Sequence, residues 1–214
     1  VEEYLETMLG LAEEGVPVIQ ARIAERLGRS APSVSEMLDR LIDEGYVTRE
    51  GRRLSLTDSG SALAEKVVRK HRLAERLLVD VIGLEWHKVH REAGRWEHVI
   101  SDDVEARLVE LLGDPATCPH GNPIPGSHSA APVAETRPLA DVDAGERVRL
   151  FRISEEVELN FGSLTLLDEG GFIPGAVAEV GARDAEGAVE VTVEGARPIR
   201  VTRELSDRLF VGTP

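Results

Sequence analysis

One cysteine among 214 residues excludes a disulfide within the chain, and nothing in the sequence marks an oxidising compartment. Long apolar runs are also missing. Stretches such as Leu77–Val79 fall far short of the ~20 residues a membrane-spanning helix needs, and no signal peptide opens the chain. The cytoplasm is therefore the expected location, with no membrane partner. No phosphate-cradling glycine loop, dinucleotide fingerprint or nucleophile elbow occurs, and the helical spacing of a zinc protease is not matched. Basic residues are scarce. The 25 Lys+Arg face 39 Asp+Glu for a net charge of −14, which taken whole argues against a nucleic-acid binder.

The charge is unevenly spread. Residues 1–17 are net −5, 18–53 net +1, 54–100 net +1 and 101–214 net −11. The stretch 18–100 is nearly neutral and rich in Arg, which leaves room for a local phosphate-facing surface. With 42% hydrophobic and 30% charged residues the chain has the composition of a folded protein, and its length suits one or two domains.

Periodicity divides the chain into an α+β arrangement. In residues 1–57, helices are expected over 2–13, 20–27 and from Ser30 to about Glu44, followed by strands at 46–49 and 53–56 around Glu50-Gly51. Two short helices joined by a tight turn and then a basic hairpin form a winged helix-turn-helix. Residues 58–126 form a helical block, with one helix from Thr57 or Asp58 through Val81 and another from about Glu85 to Leu112, with a break near Ser101-Asp102. Apolar stripes on both suggest a dimer surface. Six of the eleven prolines lie between 114 and 140, and 127–140 reads as a linker. Short alternating strands in 141–214 suggest a small SH3-like barrel.

The chemistry sits on two helices. His90, Gly94, Glu97 and His98 fall at i, i+4, i+7 and i+8, and His71 and Glu75 at i and i+4, so each set shares a helix face. Imidazole with carboxylate suits divalent Mn, Fe, Co, Ni or Zn. A surface helix that simply carries His and Glu remains the alternative for any one pair; two matched stripes beside an apolar seam favour a ligand set. Cys118 and His120 could add ligands but read as an ordinary exposed loop.

Four stretches carry a resemblance: Ala21–Leu27, Arg69–Leu78, Arg95–Ser101 and Gly121–Gly126. With them the sequence resembles the diphtheria toxin repressor and iron-dependent regulator family, strongly over 1–126 and weakly beyond. The resemblance implies a winged helix, a helical dimerisation domain with two metal sites, and an SH3-like third domain. It implies an ancillary site on His71, Glu75 and His90, completed by Glu155 and Glu158. It implies a primary site on Glu97 and His98. There the chain departs from the iron-sensing pattern, with Glu3 in place of a Met and Gly94 in place of a Cys. Glu3 and Glu6 resemble the acidic pair of manganese regulators, which have a Glu where this chain has Gly94. Loss of both sulfur ligands favours Mn(II) over Fe(II), while the Irving–Williams order leaves Co(II), Ni(II) and Zn(II) as activators in vitro.

The same resemblance implies double-stranded operator DNA as partner of a homodimer, with two dimers per operator as an option, and metal-homeostasis genes as targets. The recognition helix is Pro32–Glu44, with Ser30, Ser33 and Ser35 suited to phosphate and Glu36 an unusual base reader. Arg22, Arg49, Arg52 and Arg53 are the expected phosphate or minor-groove contacts, each with plain solvated surface as the alternative. Two rival classes stay open at this point: a metalloenzyme using the His/Glu cluster, and a metal-free winged-helix adaptor.

Overall fold

Tyr4, Leu5, Met8 and Leu11 recur at helical spacing, and all four are buried on one face of α1 (Glu2–Glu13). The computed structural model describes residues 1–129 and 135–214, and it divides into two units, Val1–Lys70 and His71–Pro214. In the first unit α1 packs against α2 (Gln20–Leu27), which Gly28 ends in the left-handed region at φ 59°. The Ser30 hydroxyl caps α3 (Ala31–Asp43) by accepting from Ser33 N, and Pro32 lies in its first turn. An antiparallel wing follows, β1 (Val47–Glu50) with β2 (Arg53–Leu56), in register Val47↔Leu56. Ile23, Val34, Leu38, Leu41 and Leu54 fill the core between them. Arg26 Nη2 donates to Glu14 Oε2 at 2.8 Å in a nearly buried pair that joins the end of α1 to α2.

Helix α4 (Asp58–Arg76) leaves the wing. The expected helix through Val81 changes pitch at Leu77–Ile82, which winds as a π-helix and stops at Gly83 with φ 75°. The helix expected from about Glu85 to Leu112 is broken near Ser101-Asp102, where the sequence predicts a break, and again at its start. A 3₁₀ turn (Trp86–Lys88) leads into α5 (Val89–Trp96), and α6 (Asp102–Leu112) starts afresh. The cause is local: the Ser101 hydroxyl accepts from Val104 N, and three acids fill the first turn of α6. Val81, Ile82, Val99, Val104 and Leu111 are apolar and exposed on this helical block.

The C-terminal part is a six-stranded antiparallel sheet of β3 (Arg137–Pro138), β4 (Arg147–Ile153), β5 (Val177–Arg183), β6 (Val189–Val193), β7 (Ile199–Val201) and β8 (Leu209–Gly212), in the order β3-β8-β4-β5-β6-β7. Its first strand pairs with its last, as in a small SH3-like barrel. Two helices, α7 (Glu155–Glu158) and α8 (Phe161–Glu169), fill the crossing from β4 to β5, and a last short helix, α9 (Arg203–Ser206), precedes β8.

The proline-rich segment is corrected in two places. Residues 137–140 belong to the sheet and its following 3₁₀ turn rather than to a linker, and residues 130–134 of that linker lie outside the described residues. Upstream, Cys118 and His120 are buried instead of exposed. His120 O accepts from Ile153 N at 3.0 Å, which ties this turn to the end of β4. Gly121, at φ 88°, lies so close that a Cβ would strike Phe151 O. Trp86 belongs to the core of the sheet domain, alongside Leu150, Phe172 and Leu209, and its Nε1 donates to Pro119 O at 3.0 Å. One indole thus fills the core and satisfies the turn at once. Trp86→Ala is expected to cost about 3–5 kcal/mol in urea denaturation of the metal-free protein; a loss below about 1 kcal/mol would place Trp86 outside the core.

Candidate metal centre

Residues four apart on a helix point the same way, so α4 presents His71 and Glu75 together. His90 of α5 meets them: its Nδ1 is 3.0 Å from His71 Nε2 and 3.1 Å from Glu75 Oε1. His71 Nε2 is 3.2 Å from the same Glu75 oxygen. Glu158, the last residue of α7, brings its Oε2 to 2.9 Å from His90 Nδ1. His120 completes the group, with Nδ1 3.2 Å from both Glu75 Oε1 and Glu158 Oε2. These five side chains come from α4, α5, the 118–122 turn and α7; four of them are buried, Glu75 and His120 completely, and His90 is partly buried.

The turn is held by cations of α4. Arg72 Nη1 donates to Pro123 O at 2.5 Å, and Arg76 donates through Nε to Thr117 O and through Nη2 to Cys118 O. Carbonyls on both sides of His120 are thereby anchored to the helix that carries Glu75.

Among the described residues, three polar atoms here have no hydrogen-bond partner: Glu75 Oε2 and both ring nitrogens of His120. The His120 contacts at 3.2 Å are close enough for charge attraction but misdirected for a hydrogen bond. Buried polar groups are nearly always satisfied, so these orphans call for an explanation. A divalent cation supplies one, because imidazole nitrogen and carboxylate oxygen are its ordinary ligands. His71, Glu75 and His90 each offer a ligand atom within 4.8 Å of the others, and so do Glu75, Cys118 and His120. The residues present therefore fit the group.

The titration behaviour has the same origin. Burial opposes charge on His90, but bonds to Glu158 and Glu75 outweigh it and lift its pKa to about 9. Burial likewise opposes charge on His71 and His120, and the carboxylates beside them hold both well above the ordinary imidazole value. Burial would raise Glu158, yet the imidazoles of His120 and His90 hold it at about 2. Glu75 is also held well below the usual range, chiefly by His120 and His71 against its burial. Burial, then the Glu75 charge, pushes the Cys118 thiol up.

The remaining expected residues fall as follows. Glu97 caps the end of α5 and bonds His71 Nδ1 through Oε2, while its Oε1 is 3.2 Å from His98 Nε2. It therefore meets the ancillary set as well as His98, which lies past the end of α5 in a turn and is exposed. Gly94 is exposed, and a Cβ there would meet nothing within 4 Å. Glu155 starts α7 and is half-buried. Glu3 is exposed and Glu6 half-buried on α1, in the first unit. In that unit the Ser30–Glu36 end of α3 is largely exposed, with Ser35 half-buried. Arg22, Arg49, Arg52 and Arg53 are exposed as well. Arg22 pairs with Glu25 at 2.7 Å and Arg49 with Asp39 at 3.2 Å.

Residues 1–54 match the model of the iron dependent repressor N-terminal DNA binding domain, and residues 57–126 that of the iron dependent repressor metal binding and dimerisation domain. The chain belongs to the iron-dependent repressor family. It is 43% identical over 220 aligned residues to the iron-dependent repressor IdeR of Mycobacterium tuberculosis, covering 98% of this chain and 95% of that protein. It is 45% identical over 191 residues to the diphtheria toxin repressor of Corynebacterium diphtheriae, covering 86% and 84%. Among solved structures it resembles a manganese-dependent transcriptional repressor in complex with manganese, at TM-score 0.85 and 30% identity over the full length of both chains. It also resembles ScaR with bound Zn2+, at TM-score 0.80 and 28% identity, covering 100% of this chain and 99% of that one. A member of this family is a metal-dependent, DNA-binding transcriptional repressor with a dimerisation domain, and not an enzyme; the metalloenzyme and metal-free adaptor readings are set aside. Among the described residues no helix is long and apolar enough to cross a membrane.

The charge pairing sets a pH window for the metal-free protein. His90, raised to about 9, contributes stability that is complete below about 6.5 and lost as pH rises through 9. Glu158, lowered to about 2, contributes stability that is complete above about 4.5 and lost as pH falls through 2. Thermal melts of the metal-free protein are expected to show falling stability from pH 6.5 to 9, with a shallower fall in His90→Gln. Equal slopes would contradict the pairing.

Proposed function

We propose that the chain is a Mn(II)-dependent repressor that binds operator DNA as a dimer and controls metal-homeostasis genes in the cytoplasm. The observation that carries the metal centre is the buried set of His71, Glu75, His90, His120 and Glu158, with three of its polar atoms unsatisfied. His71, Glu75, His90, His120 and Glu158 would hold a divalent cation, which would supply the positive charge that their imidazoles lose on deprotonation. The protein's own part is to hold the donors. His71 and Glu75 stand on the helix that leaves the wing, so order at the donors is order in α4. Glu97 orients the His71 ring through Nδ1, as outer carboxylates orient metal-bound imidazoles. The exposed apolar residues Val81, Ile82, Val99 and Val104 of the helical block supply apolar surface for the dimer. The exposed start of α3, carrying Ser30, Pro32, Ser33 and Glu36, is the reading end, and Arg22, Arg49, Arg52 and Arg53 give the phosphate contacts that position it.

Mn(II) is favoured by a donor set of imidazole and carboxylate, and by the lack of sulfur at positions 3 and 94. Fe(II) is the second reading, and one observation supports it: Cys118 places a thiol within ligand reach of Glu75 and His120. Occupancy of one operator by two dimers is a further option that footprint length measures. In anaerobic operator titrations Mn(II) is expected to half-saturate binding at a lower free concentration than Fe(II); the reverse order selects the iron reading. Glu97→Ala is expected to abolish metal-dependent operator binding, and unchanged activation at the same metal concentration would remove Glu97 from the switch.

A further inference from the structure

The C-terminal domain brings Glu158 to the proposed metal centre, and that carboxylate is held by an amide from the turn opposite. Asn122 is buried, and its side chain is fully engaged. Nδ2 donates to Glu158 Oε1 at 2.5 Å and to Ile153 O at 3.1 Å. Its Oδ1 accepts from Arg152 Nη1 at 3.4 Å. An amide has two N–H donors, and both are used, one on the end of β4 and one on the side chain that ends α7. The amide itself cannot drift. Its neighbour Gly121 abuts Phe151 and Arg152, and His120 O accepts from Ile153 N. With Oε1 fixed on Asn122, the other oxygen of Glu158 is turned to His90 Nδ1 at 2.9 Å and His120 Nδ1 at 3.2 Å.

We infer that Asn122 is the positioning residue that presents Glu158 to the metal centre, coupling the docking of the C-terminal domain to metal affinity. The inference rests on the metal-centre reading of the preceding subsection. Its physical basis is preorganisation. A glutamate has three side-chain torsions, and a ligand already aimed loses less freedom on binding than one that must be captured. Outer partners of metal ligands typically change affinity by about 10–100-fold when removed.

The test is a double-mutant cycle on the full-length protein, with Co(II) as probe, read by its visible absorption and by thermal melts of the metal-free forms. Asn122→Ala is expected to weaken Co(II) binding by about 10–100-fold. Glu158→Ala is expected to weaken it at least as much, and the double variant no further than Glu158→Ala alone, because Asn122 acts only through Glu158. Wild-type affinity in Asn122→Ala overturns the inference. So does a loss that adds in full to that of Glu158→Ala, which marks a purely structural role. Should Asn122→Ala fail to fold, Asn122→Asp keeps the shape and the acceptor for Arg152 while losing both donors, and the same two criteria apply to it. Absence of Co(II) binding in the wild type overturns the metal-centre reading itself, and the inference with it.

Discussion

Two carboxylates, Glu75 and Glu158, lie side by side in the interior of the His71–Pro214 unit, and much of the local structure answers to that charge. A buried carboxylate is tolerated only when paired and hydrogen-bonded. Here the compensation comes from imidazoles on three separate elements, with His71 and His90 on α4 and α5 and His120 on the turn. The same demand explains why a proline-rich segment is folded at all. Arg72, Arg76, Trp86 and Ile153 each take up a backbone group of residues 117–123, so the turn has partners on every side.

On the proposed metal-centre reading, this arrangement has two chemical states. Protons hold the imidazoles charged when nothing else balances Glu75 and Glu158, and a divalent cation removes the need for them. Metal ligands must be deprotonated to bind, so proton loss and metal gain are one exchange. The Glu97 bond to His71 extends it towards His98, which places the exposed end of α5 in the same chain of contacts. Part of the negative net charge of the sequence is thus stored where a cation relieves it.

Much of the fold was legible in the sequence because local signals agreed with tertiary demand. Ser30 and Pro32 announced the start of α3, Gly28 the end of α2, and Glu50-Gly51 the wing. The pairing of His71 with Glu75 followed from helical spacing, and their meeting with His90 from the family resemblance. Misreadings arose where composition concealed packing. Proline density between 114 and 140 suggested a linker, yet prolines also suit a tight turn whose remaining backbone groups are bonded elsewhere, and His120 and Asn122 were hidden there. The adjacent letters Cys118, His120, Gly121 and Asn122 were the available signal. The break before α6, by contrast, was legible at Ser101-Asp102, where the Ser101 cap interrupts the apolar stripe. Helix α8 has a Gly, Ser and Thr near its start and no clean stripe; it is set by the Asn160 cap on Ser163 N and by the core beneath Leu164 and Leu167.

The central claim is that a cation takes over the charge role of protons at the buried cluster. Calorimetric titration with Mn(II) at pH 7, in buffers of different ionisation enthalpy, measures that exchange directly. The account predicts release of at least about one proton per metal bound, reduced in the variant His90→Gln. Tight Mn(II) binding with no proton release, or release unchanged by His90→Gln, would contradict it.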